Sequence, residues 1–129
     1  MRNKEPVWLS LRIVILMHFK QIQEHGGIHG ISDQALLESA LNRPRHRFLY
    51  DPDACLWSLS ASYGYGLAKN HCFFDGNKRI AFLSMYVFLN LNSFDLEAQE
   101  KELVSIIQAC ADGSLTEKEL SLWIKSTLR

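Results

Sequence analysis

The chain has 129 residues, 47% of them hydrophobic and 22% charged, with 14 Lys plus Arg balancing 14 Asp plus Glu. That is the composition of one soluble globular domain, and the zero formal charge argues against a dedicated nucleic-acid binder, which needs a basic excess. Cys55, Cys72 and Cys110 match no CxxC metal or redox motif, no signal-peptide pattern appears and no apolar run is long enough to cross a bilayer, so a cytoplasmic protein with reduced thiols is expected.

Ser10 is the expected N-cap of a helix through "LRIVILMHFKQIQEH", which Gly26-Gly27 stops. "GIHGIS" reads as a loop, and Ser32 with Asp33 opens a short helix, "DQALLESALN", that should end before Pro44. "RPRHRFLYDPD" is the least regular stretch, with "HRFLY" as a candidate short β-flap. Asp51-Pro52-Asp53 supplies a cap, an N1 proline and a first-turn acid for the small-residue helix "ACLWSLSASYGYGLAKN". The next helix runs from about Gly76 to Leu91, and "NSFDLEAQ" is a turn after it. "EKELVSIIQACA" is an amphipathic helix ending near Asp112-Gly113, and Thr116 with Glu119 makes a capping box for "EKELSLWIKSTL". The expectation is an all-α single domain over residues 1–129, a bundle around the stretch from Ile80 to Leu91, which is apolar on every face.

Only the N-terminal end of such a helix can reach a surface, and there His71, Asp75, Gly76, Asn77, Lys78 and Arg79 crowd together. Asp75 suits the N-cap, with Gly76 and Asn77 in the tight turn that leads into the helix. Lys78 and Arg79 in the first turn oppose the helix dipole, which favours acids at that end. A bound anion reverses the penalty, because unpaired N–H groups and both cations can converge on it; phosphate is the obvious choice. Taken alone, "DGNKR" reads equally well as a capped, solvated helix start, with His71 a hydrogen-bonded loop residue.

The longer pattern H-x-F-x-D-G-N-x-R, here His71, Phe73, Asp75, Gly76, Asn77 and Arg79, resembles the signature of the Fic/Doc family. "GGIHGISDQALLESALNRP" resembles the region between the first two helices in the Doc (death on curing) branch, so the likeness covers most of residues 10 to 95. The resemblance implies an all-helical fold that binds ATP at the start of this helix. It implies His71 as the general base on a target hydroxyl, Asp75 as the Mg²⁺ ligand, and Gly76, Asn77 and Arg79 as the phosphate cradle. Phe73 is implied as the anchor of the loop. The adenylyltransferase branch carries G-N-G-R-x-x-R, whereas this chain has Lys78 at the second glycine and Phe82 at the second arginine. Lys78 should narrow one phosphate pocket while adding a charge. The G-N-K-R form resembles the Doc branch and implies a protein kinase that transfers the γ-phosphoryl group; adenylylation is the alternative, and a non-catalytic antitoxin-binding module a second.

The same resemblance implies a bacterial toxin–antitoxin module. Its toxin phosphorylates a threonine of elongation factor Tu and stops translation, and an antitoxin of the prevents-host-death type supplies an inhibitory helix in trans. The S/T-x-x-x-E pattern that marks an inhibitory helix in cis occurs here only as Ser93 to Glu97, in a turn, and reads as coincidence. "RPRHRF" is either an exposed basic loop or a flap near the site, in which Arg45, Arg47 and Phe48 would meet the target. His25 and His29 could join His71 and Asp75 in a metal-dependent nuclease, but no second motif supplies further ligands. Cys72 is a spectator within the motif unless Lys78 and Arg79 lower its pKa.

Overall fold

The computed structural model describes residues 4–129. Among the described residues six helices follow one another: α1 (Leu11–His25), α2 (Gln34–Tyr50), α3 (Leu56–Asn70), α4 (Asn77–Leu91), α5 (Glu100–Asp112) and α6 (Glu117–Thr127). Among the described residues there is no strand, only the isolated bridges Ile31–Phe73 and Leu96–Leu128. The expected all-α architecture is what the chain adopts. None of these helices is long and apolar enough to cross a membrane.

The centre is a pair of helices, α3 and α4. Helix α3 packs against α2, α4, α5 and α6, while α4 packs against α3, α1 and α5. Small residues on α3 allow this close approach: a Cβ on Gly64 would collide with the Met85 thioether of α4. Ile80, Ala81, Met85, Phe88 and Leu89 of α4 are buried. Phe82, Leu83, Tyr86 and Val87 are only partly covered, so one flank of α4 stays open beside α1 and α5.

Two local expectations fail. Helix α2 does not stop at Pro44 but continues through it to Tyr50, so "HRFLY" is helical and forms no β-flap. An interior proline leaves the carbonyl four residues back, here that of Ala40, without its helical donor, at a cost of about 3 kcal/mol. Tertiary contacts on either side of the proline offset that cost. Phe48 is buried and meets Trp8 edge to face at 5.8 Å. Arg43 and Arg47 both pair with Glu117 at the start of α6, Arg47 Nη1 at 2.7 Å.

Asp51, in turn, ends α2 instead of capping α3. Its carboxylate accepts the Asp53 N–H at 2.9 Å, and α3 begins only after Cys55, whose N–H donates to Ser58 Oγ at 2.9 Å. The Ser10 cap and the Thr116–Glu119 capping box are present as expected.

Candidate phosphate site at the mouth of α4

The motif is a loop between the two central helices. Helix α3 ends at Asn70, and His71 takes the left-handed conformation, φ 49° and ψ 50°, that caps it. For a residue with a Cβ this conformation costs about 1–2 kcal/mol, so it has to be held. Ser32 does so by donating its hydroxyl to the His71 carbonyl at 2.9 Å, while the Ser32 and Asp33 N–H groups bind the Cys72 carbonyl at 2.8 and 3.2 Å. The Phe74 N–H donates to the Gly30 carbonyl at 3.2 Å. The loop "GIHGIS" is therefore the segment laid along the motif. The His71 side chain is exposed and has no hydrogen-bond partner among the described residues.

Asn77 closes the loop on itself. Its side-chain oxygen accepts the Phe73 N–H and its amide donates to the Phe73 carbonyl, both at 2.9 Å. The oxygen and one amide N–H of the Asn77 side chain are thus committed to the loop, which leaves the second amide N–H and the backbone N–H for an anion. Phe73 is buried, and its ring lies parallel to that of His18 at 3.8 Å, with 13° between the planes.

Asp75 does not cap α4. Its Oδ2 accepts the Ile28 N–H at 2.7 Å, tying the motif to the loop after α1. Gly27 makes this possible: it holds φ +118°, and a Cβ there would stand 3.1 Å from the Asp75 Cβ. Gly76 takes the cap position at φ 78°, with no side-chain cap. The N–H groups of Gly76, Asn77, Lys78 and Arg79 consequently have no acceptor among the described residues. They form an open cradle of donors at the positive end of a fifteen-residue helix.

The two cations diverge. Lys78 reaches across to α5, its Nζ 2.6 Å from Gln108 Oε1. Arg79 is exposed and makes no ion pair among the described residues. Both line a cleft of about 430 Å³ between α1, α4 and α5, whose wall includes Phe82, Leu83, Val104 and Ile107.

His71, Asp75, Gly76, Asn77, Lys78 and Arg79 therefore share one loop and one helical turn, whereas Arg45, Arg47 and Phe48 stand elsewhere. The N-terminus of α2 touches His71 and Cys72, and at 1.5 Å per residue Arg47 lies about 20 Å further along that helix. Phe48 is core, Arg47 is bound to Asp51 and Glu117, and Arg45 sits over the Trp8 ring at 5.8 Å. The flap assignment is corrected on both shape and place.

The nuclease reading also loses its geometry. Among the described residues no three His, Cys, Asp or Glu side chains gather to hold a metal, and His29 instead lies tilted against Phe19 at 4.7 Å and bonds Gln23. Burial pushes the Cys72 thiol up to about 11, the opposite of an activated thiolate. Sequence reasoning missed His18, Gly27 and Ser32. His18 was visible as a polar residue in the buried stripe Val14, His18, Ile22 of α1, although its partner was not.

A family model described as Fic/DOC matches residues 8–89. The chain is 31% identical over 108 residues to "Protein kinase doc" of Escherichia phage P1, covering 84% of this chain and 85% of that one. It is 39% identical over 75 residues to "Toxin Doc" of Mycolicibacterium smegmatis, 57% of each chain. The matched stretch runs from just before α1 almost to the end of α4 and contains the whole loop described above, and this chain belongs to the Fic/Doc family.

Proposed function

We propose that the chain is the toxin of a bacterial toxin–antitoxin module and acts as a Mg·ATP-dependent protein kinase. The observation that carries this reading is the cradle of unpaired N–H groups at Gly76, Asn77, Lys78 and Arg79, on the loop that also exposes an unpartnered His71. Such donors suit the terminal phosphates of a nucleotide, and Arg79 is free to neutralise charge that builds during transfer. The target hydroxyl oxygen attacks the γ-phosphorus, its proton passes to the His71 imidazole, and ADP leaves with the bridging electrons.

Asp75 spends Oδ2 on Ile28 and has Oδ1 left over. One carboxylate oxygen beside a phosphate cradle suits Mg²⁺, which typically takes one or two carboxylates along with phosphate oxygens. Held there, such an ion would help to neutralise the phosphate charge.

The phage P1 relative is named a protein kinase, which supports phosphorylation over adenylylation, as does Lys78 where the adenylyltransferase branch has glycine. By family resemblance the target is a threonine of elongation factor Tu, and its modification arrests translation. The partner is an antitoxin of the prevents-host-death type. Its inhibitory helix is best accommodated on the open flank of α4, where the cleft joins an apolar wall to Lys78, Arg79 and Glu100. Ser93 to Glu97 cannot take that role from its place at the other end of α4, since Glu97 is tied to Thr127 and Arg129.

The test is incubation with γ-labelled and, separately, α-labelled ATP in a bacterial extract. Label from the γ-position alone, on a protein of elongation factor Tu size, is expected. Transfer of the α-label would sink the kinase reading in favour of adenylylation. Growth arrest that survives His71→Ala would favour the non-catalytic binding module.

A further inference from the structure

We propose that His18 of α1 is a positioning residue for this reaction: it locks the Asp75–Gly76 peptide so that the Gly76 N–H faces the bound phosphate. The inference rests on the reading of the α4 mouth as a phosphate site.

His18 is 3% exposed and occupies a core position one turn from Val14 and from Ile22. An apolar residue would fill that position without having to satisfy a polar ring, so a buried histidine calls for a partner. The partner is a backbone carbonyl, that of Asp75, 2.7 Å from His18 Nε2. A carbonyl can only accept, so Nε2 carries the proton and donates it. The ring is fixed in its other dimension by the parallel stack on Phe73 at 3.8 Å.

The consequence follows from peptide geometry. No peptide bond in the described chain is cis, and in a trans peptide the C=O and N–H point in opposite directions. Drawing the Asp75 carbonyl inward to α1 turns the Gly76 N–H outward, to the side where the Asn77, Lys78 and Arg79 donors are also unpaired. Without the lock this peptide can rotate easily, because Gly76 has no Cβ to oppose a change in its φ. A rotated peptide would present a carbonyl oxygen, not a donor, to the phosphate.

Two substitutions of equal length separate the donor from the packing. His18→Gln keeps an N–H near the position of Nε2, whereas His18→Met fills similar space without one. Both lose the stack on Phe73, so similar melting temperatures are expected for the two. Titrated with inorganic pyrophosphate, the Gln variant should bind within about threefold of wild type and the Met variant about tenfold more weakly, the effect of one misdirected hydrogen bond to a charged group. Equal affinity in the two variants overturns the proposal.

If neither variant folds, nitrogen-15 NMR of the wild type decides. A neutral ring protonated on Nε2, with the Gly76 amide resonance moved by pyrophosphate, supports the lock; protonation on Nδ1, or an unmoved Gly76 amide, refutes it. The kinase reading fails separately: pyrophosphate that still distinguishes Gln from Met, with no label transferred from ATP, leaves the lock standing and removes the activity.

Discussion

Asn77 is the residue where a structural and a ligand-binding role can be told apart. Its side chain makes two hydrogen bonds to Phe73, each 2.9 Å long, and those bonds close the loop that carries His71 and Asp75. Asn77→Ala removes both. A net loss of about 1 kcal/mol per bond is usual, and more when a partner stays buried and unsatisfied. The site is half-exposed, so water can reach part of the gap, and a total loss of about 2 kcal/mol is expected. Asn77→Asp should be no better: it can still accept the Phe73 N–H, but it sets a carboxylate oxygen against the Phe73 carbonyl and adds negative charge where phosphate must bind. Urea unfolding reads the first quantity, as a lower midpoint with an unchanged slope. Calorimetric titration with Mg·ATP reads the second, and affinity should fall together with stability. An Asn77→Ala protein as stable as wild type but unable to bind ATP would refute the reasoning, since the amide would then be gripping phosphate directly.

The C-terminal half of α2 and the buried thiols are open to simpler tests. Glu117→Ala strips Arg43 and Arg47 of a shared partner and removes an acid from the first turn of α6; thermal unfolding should show a loss of about 1–2 kcal/mol, discounted from a fully buried pair for partial exposure. Arg47→Ala should likewise lower stability while leaving the rate of target phosphorylation unchanged; a selective drop in that rate would restore a target-binding role. In the native protein at pH 8, iodoacetamide should label Cys55 far ahead of Cys72 and Cys110, because the latter two are buried and burial raises each thiol to about 11. For an acid whose pKa is raised on folding, stability is complete below the unfolded value, here 9.0, and is lost as pH rises through about 11. Alkaline melts should therefore show a falling midpoint across that window; a flat profile would contradict the burial of the two thiols.

The helical class and the caps at Ser10 and Thr116 were legible because they depend on neighbours in sequence. The α2 boundary was not. Pro44 and the pair Asp51-Pro52 send local signals to stop or start a helix, but the contacts of Phe48 with Trp8 and of two arginines with Glu117 are long-range and prevail. The site was legible as a composition. The cations at the start of α4 made a phosphate cradle one of two equal readings of the "GNKR" turn, and the longer family pattern from His71 to Arg79 favoured it and added the chemistry. The detailed roles shifted for the same tertiary reason. Asp75 looks like a cap when only α4 is considered, yet the Ile28 N–H, brought close by Gly27, competes for its carboxylate. His18 lies 57 residues from its partner, a separation over which no periodicity carries information.

The central claim is that the mouth of α4 holds ATP by its phosphates while His71 performs the proton transfer. Single-turnover transfer from γ-labelled ATP, measured beside equilibrium binding of Mg·ATP for wild type and His71→Ala, tests both halves at once. His71→Ala is expected to bind Mg·ATP as tightly as wild type and to transfer no label. Transfer at the wild-type rate, or binding lost in proportion to transfer, would contradict it.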